Sequence, residues 1–184
     1  SSVYGKEFCN IGTGSWVRSG RNRLSLVEEG SFQVVFGICR RSKKGETVCG
    51  DTFSFANYNR KRAVMLLSDG MGVGEPAYND SRKLIETFEA MLEAGIHEEY
   101  ALEILHNILL TKEKAEYATL DAAVVSLQTG TLKTLKAGGT ATFVRHKKTV
   151  ERITASSLPP GCLTEQRFEI KYKTKIPEDY QIKK

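Results

Sequence analysis

Apolar residues recur with three different spacings along the 184-residue chain, and the changes of spacing locate its elements. The mainly apolar run Phe32-Gln33-Val34-Val35-Phe36-Gly37-Ile38-Cys39 reads as a strand closed by a basic turn at Lys43-Lys44-Gly45. Residues 47–55 then read as its hairpin partner. Ala63-Val64-Met65-Leu66-Leu67 is unbroken and apolar, the pattern of a strand buried on both faces. A helical period follows in Leu84, Ile85, Phe88, Met91 and Leu92, with Gly95 suited to the C-terminal cap. A second stripe, Ala101, Leu102, Leu105, Ile108 and Leu109, predicts another helix, whose start after His97-Glu98-Glu99 places acids at its positive end. Strand patterns return at 117–127, 131–136, 140–145 and 150–154, joined by turns at Gln128-Thr129-Gly130 and Lys147-Lys148, and read as meander-like antiparallel pairs. After the Leu158-Pro159-Pro160-Gly161 turn, residues 168–173 form a last strand before a charged tail. Residues 1–30, rich in Gly, Ser and Arg, read as an irregular lead-in to a domain over 31–184. Strands, two helices and more strands make an α+β order.

Composition narrows this picture. Forty per cent of the residues are hydrophobic and 27% charged, as in a globular domain that buries a core. The expectation is a soluble cytoplasmic domain, because no apolar run approaches the roughly 20 residues a membrane-spanning helix needs. Cys9, Cys39, Cys49 and Cys162 are widely spaced without a CxxC pair, so reduced thiols are expected rather than a zinc site or disulfides. None has an arginine six positions later, which argues against a cysteine-based phosphatase. His97, His106 and His146 lack metal-ligand spacing and read as helix or turn residues. The formal charge of +5 falls in short basic groups such as Arg60-Lys61-Arg62 and Arg145-His146-Lys147-Lys148. Aromatic residues do not interleave with them, so they read as solvated turns and no nucleic-acid partner is expected.

The stretch from Ala63 to Glu75 is the most informative. An apolar strand ends abruptly in Ser68-Asp69-Gly70-Met71-Gly72-Val73-Gly74, just before a helix. A carboxylate held at the end of a buried strand can face a hard divalent cation, and a glycine beside it lets a backbone carbonyl approach the same ion. Asp69 and Gly70 are therefore candidate ligands. Asp51 is a second acid inside a predicted strand, costly to bury without a cation or partner, and it converges with Asp69 if the two strands are neighbours. The spacing is equally compatible with Asp51 in an exposed turn and Asp69 capping the next helix. A dinucleotide-binding turn is disfavoured. The glycines follow Gly-x-Gly-x-Gly, acids flank them, and a second helix stands where the next parallel strand should be.

Gly50-Asp51-Thr52-Phe53-Ser54-Phe55 followed by Leu67-Ser68-Asp69-Gly70-Met71-Gly72-Val73-Gly74-Glu75 resembles the paired motifs of the stage II sporulation protein E type of PP2C (PPM) serine/threonine phosphatases. The likeness extends over roughly residues 45–165, through Met91-Leu92-Glu93-Ala94-Gly95-Ile96, Asn107-Ile108-Leu109-Leu110, Ala118-Thr119-Leu120-Asp121, Lys136-Ala137-Gly138-Gly139 and Ser156-Ser157-Leu158-Pro159. The resemblance implies a PP2C-like α/β/β/α sandwich of antiparallel sheets flanked by helices, with two Mn2+ or Mg2+ ions at one end. It assigns Asp69 as the catalytic aspartate bridging both ions, Gly70 as a carbonyl ligand and Asp51 as a further carboxylate ligand. It implies a water-activating phosphatase acting on a phosphoserine of a protein, such as an anti-sigma factor antagonist with a STAS domain, in sporulation control.

The family pattern continues into a second aspartate-glycine motif and a paired-aspartate strand that supply the remaining ligands. No match to them precedes Lys184, and Asp179, in Pro177-Glu178-Asp179-Tyr180, does not fit. The expectation is a domain incomplete at its C-terminus, shortened relative to its natural product and carrying half the metal site. The alternative is a pseudophosphatase or regulatory protein-binding module. A homodimer and a membrane tether through an upstream region are further expectations from the family.

Overall fold

The computed structural model describes residues 2–3, 6–10, 26–28, 30–42, 45, 47–58, 60–112, 117–154, 156–173 and 180–183. Its centre is a five-stranded antiparallel sheet. β4 (Asp51–Tyr58) and β5 (Arg62–Asp69) form a hairpin, β6 (Leu120–Ser126) lies on the other side of β5, and β7 (Leu132–Ala137) and β10 (Glu169–Lys173) extend the sheet in that order. β1 (Ser2–Val3), β2 (Lys6–Asn10) and β3 (Leu26–Glu28) make a small antiparallel sheet, and β8 (Thr142–His146), β9 (Thr149–Ile153) and β11 (Tyr180–Lys183) make a third.

Two helices, α1 (Gly74–Glu93) and α2 (Glu98–Leu110), cover one face of the central sheet. Alternation along the strands decides which side chains meet them. Val64 and Leu66 of β5, Leu120, Ala122 and Val124 of β6 and Leu135 and Ala137 of β7 pack with Leu84, Ile85, Phe88 and Leu92 of α1 and Ala101, Leu102 and Leu105 of α2. Phe88 is fully buried, a contribution of about 1.5–3 kcal/mol for one side chain. Ala63, Ala123, Val125 and Leu132 point the other way and pack with Val144 of β8 and Ile153 of β9. The layers are thus helix, sheet, sheet, within the expected α+β class. No helix among the described residues is long and apolar enough to cross a membrane.

The structure corrects the sequence reading in four places. Residues 32–39 are not a strand, and β4 pairs instead with β5. The segment is held by a backbone bond, from Phe32 N–H to Leu127 O at 2.9 Å, and by side chains: Val34 joins the second core, Phe36 stacks on Phe55 with ring centroids 3.6 Å apart, and Arg40 donates to the Cys49 carbonyl at 2.5 Å. A three-residue connection makes β5 the local partner for β4, and the apolar run at 32–39 lies on the sheet face rather than in the ladder. Of the turn assigned to it, Lys43 and Lys44 lie outside the described residues. The 1–30 lead-in contains β1 to β3, so it is not wholly irregular; Lys6-Glu7-Phe8-Cys9-Asn10 carries no apolar alternation to mark it as a strand. β8 does not continue a meander from β7. At Gly138, with φ +72°, a side chain would meet the Pro159 ring at 2.7 Å, and the chain there swings into the other sheet. The charged tail contributes β11, which pairs with β8 in register Tyr180↔His146 to Lys183↔Phe143.

Candidate metal centre

Asp51 opens β4 and Asp69 closes β5, and the antiparallel register sets them directly opposite each other. Paired residues in such a ladder project from the same face with Cβ atoms roughly 4.5–5.5 Å apart, so the two carboxylates meet. Partial burial raises the Asp69 carboxyl above its ordinary range, and the charge of Asp51 and a hydrogen bond with Asp51 raise it further. The Cys49 thiol donates to Asp51 Oδ2 at 3.4 Å.

Gly70 follows Asp69 and is held from three sides. Its N–H donates to the Gly50 carbonyl at 3.4 Å, the next N–H, of Met71, donates to Tyr117 O at 3.0 Å, and Gly70 bridges to Ala118. Asp69 is clamped by Thr119, whose N–H donates to Asp69 O at 2.9 Å and whose Oγ1 accepts from Asp69 N at 3.0 Å. A Cβ on Gly70 would lie 1.9 Å from the Ala77 carbonyl oxygen, so only glycine fits beneath the first turn of α1. Gly72 and Gly74, at φ +108° and +71°, turn the chain into that helix.

The structure therefore brings together Asp51, Asp69 and Gly70, the three residues singled out from the sequence. Two facing carboxylates, one of them with a pKa raised by burial and then by the charge of the other, are what a divalent cation would relieve, and all-oxygen donors suit Mn2+ or Mg2+ better than zinc. Among the described residues there is no cluster of three or more His, Cys, Asp or Glu able to hold a metal, and the carboxylates that converge here are these two. Asp179 lies outside the described residues. His106 is buried on α2, where its Nδ1 accepts from Gly161 N at 3.0 Å, a structural role as expected.

Two features escaped the sequence reading. One is a buried ion pair: Lys136 Nζ lies 2.5 Å from Asp121 Oδ2, both side chains 2% exposed, and also donates to Thr140 O at 2.6 Å. The signal was present as a lone acid inside the apolar run Leu120-Asp121-Ala122-Ala123-Val124-Val125. The other is a hydroxyl network of Thr52 and Ser81 against Gly50, which has no signature in spacing.

A helix layer over two sheets, with an acidic pair at the open end of a central hairpin, is the arrangement of part of a PP2C-type phosphatase fold. The PP2C phosphatase domain of SpoIIE from Bacillus subtilis, solved with a fragment of its regulatory domain, matches 92% of this chain and 51% of that chain with a TM-score of 0.76 at 28% identity. The chain belongs to the stage II sporulation protein E (SpoIIE) family, whose sequence profile matches residues 59–180. It is 32% identical over 153 residues to stage II sporulation protein E of Bacillus subtilis (strain 168) and 31% identical over 153 residues to that of Priestia megaterium. In each case 83% of this chain is covered, but it spans only 18% and 26% of the two relatives.

Proposed function

We propose that this chain carries part of the metal centre of a protein serine/threonine phosphatase that hydrolyses a phosphoserine on a protein partner. The pairing of Asp51 with Asp69 across one hairpin carries this reading. With Gly70, these residues would hold Mn2+ or Mg2+; the bound metal would supply a water of lowered pKa for in-line attack on phosphorus and neutralise the phosphoryl oxygens. The protein's share is positioning. β4 and β5 fix the carboxylates on a rigid sheet, Thr119 pins the backbone of Asp69, and Ala77 packs Gly70 into place. Family membership supports a phosphorylated STAS-domain protein as the substrate class, sporulation control as the setting, a homodimer as the assembly and a cytoplasmic domain tethered by an upstream region. A binding module without chemistry is the second reading, favoured by the two-carboxylate donor set among the described residues.

Mn2+ titrated calorimetrically into the chain tests the centre. Binding is expected, with Asp51→Asn and Asp69→Asn each abolishing most of the heat. Isotherms indistinguishable from that of the unaltered chain would sink the assignment. Mn2+ at a hundred times its Kd is expected to add about 2.7 kcal/mol to stability.

A further inference from the structure

We infer that Ser81 and Thr52 are positioning residues for the acidic pair, linking α1 to both candidate ligand segments through the Gly50 carbonyl; this rests on the metal-centre reading above. Gly50 immediately precedes Asp51. Its carbonyl accepts from the N–H of Gly70, the residue after Asp69, at 3.4 Å, and from the Ser81 hydroxyl at 2.6 Å. A single oxygen thus gathers the start of β4, the end of β5 and the second turn of α1.

The Ser81 hydroxyl is fully buried, and its surroundings pose a choice. Its Oγ lies 2.6 Å from Gly50 O, 3.0 Å from Tyr78 O and 2.7 Å from Thr52 Oγ1. A serine has one proton and two acceptor lone pairs, so the two carbonyls and Thr52 Oγ1 compete for that proton. With the proton on Gly50 O, Thr52 donates to Ser81, and a relay runs from Thr52 through Ser81 to Gly50. With the proton on Tyr78 O, Ser81 donates only within its own helix, and Gly50 O keeps the long bond from Gly70 without it. The shorter distance favours the relay, and Thr52 reinforces it by supplying the hydrogen that Ser81 accepts.

Steric contact makes this relay matter to the ligands. Ala77, one turn before Ser81, leaves no room for a side chain on Gly70, and a Cβ on Gly50 would come within 3.1 Å of the Ala77 side chain. The backbone beside each acid therefore lies against the same helical turn, and the Ser81 bond holds that turn in register. Packing alone would be satisfied by any small residue at position 81. A hydroxyl threaded between Thr52 and Gly50 is needed only if the position of Gly50 matters.

Ser81→Ala, Thr52→Val and Thr52→Ser are compared with the unaltered chain in three measurements: amide hydrogen exchange at Gly70 in EDTA, Mn2+ affinity by calorimetry, and the unfolding midpoint in EDTA. Ser81→Ala and Thr52→Val are expected to speed exchange at Gly70 and to weaken Mn2+ binding by about 10-fold or more, the usual cost of losing a group that orients a ligand. Thr52→Ser is expected to restore both, and Thr52→Val to leave the unfolding midpoint close to that of the unaltered chain. Unaltered exchange and affinity in both Ser81→Ala and Thr52→Val would overturn the inference, as would Thr52→Ser behaving like Thr52→Val. If Ser81→Ala does not fold, the Thr52 pair decides. Should the unaltered chain and Asp69→Asn give the same isotherm, the metal-centre reading falls, while the exchange rate at Gly70, measured without metal, still decides the relay.

Discussion

At the scale of single residues, the structure separates positions that tolerate change from those that do not. Gly70 is one of the latter, because a methyl group there would collide with the Ala77 carbonyl and force α1 off the sheet. Gly70→Ala is expected to destabilise the chain by more than about 2 kcal/mol, read as a lower urea midpoint with an unchanged slope. Lys136 is another. Removing its ammonium leaves the Asp121 carboxylate buried without its cation, and Lys136→Met is expected to cost about 3–5 kcal/mol. The double variant Lys136→Met, Asp121→Leu is expected to recover most of that loss in the same urea series, since neither charge then remains inside. If the double variant proves as unstable as the single one, the pair is not the cause. Asp69 and Gly70 were legible because charge and glycine interrupt an apolar strand at its end, whereas spacing leaves Asp51 open between a strand and an exposed turn, and only the pairing of β4 with β5 sets it opposite Asp69. Ser81 was not, since a serine within a helical stripe looks like any small residue until the partner strand is placed over it.

At the scale of elements, α2 is fastened at its start by charge. Glu98 is 2% exposed and lies 2.6 Å from Arg62 of β5 and 3.0 Å from Lys133 of β7, which also reaches Glu99 at 2.9 Å. Burial alone would raise the Glu98 carboxyl, but a bond to its own backbone N–H, the Lys133 ammonium and the Arg62 guanidinium outweigh it, so its pKa falls below the ordinary value. A carboxylate with a depressed folded pKa adds stability above its unfolded pKa, roughly 4.3, and that stability disappears as pH falls through the folded value. Glu98→Gln is therefore expected to be about 2 kcal/mol less stable than the unaltered chain at pH 7, with the gap closing below about pH 4 in urea titrations across pH. A constant gap would show that the charge of Glu98 is not the source. Both helices were legible from their period: Leu84, Ile85, Phe88, Leu92, Ala101, Leu102 and Leu105 are all buried as expected. Ile108, included in the second stripe, is 42% exposed, because it falls at i+4 and i+8 from Ile104 and Tyr100 on the outward face of α2.

At the scale of the whole molecule, element order was easier to read than sheet membership. β6, β7, β8, β9 and β10 all fall close to their expected ranges, because each is a short β-prone run bounded by its own turn. Which sheet each joins depends on non-local pairing, such as β10 returning to the edge of β7 and β11 to β8, and no local pattern encodes it. The hairpin that bears Asp51 and Asp69 is different, since its strands are adjacent in the chain. Its turn is closed by Lys61 N–H donating to Tyr58 O at 3.0 Å, whereas the acids sit at the opposite, open end. The consequence is kinetic. Closing a short loop is entropically cheap, so the Tyr58–Arg62 end is expected to form first, and the Asp51–Asp69 end to zip last, once α1 has docked. Contacts made after the folding barrier govern the rate of leaving the native state. In stopped-flow experiments Mn2+ is therefore expected to slow unfolding while leaving the refolding rate nearly unchanged.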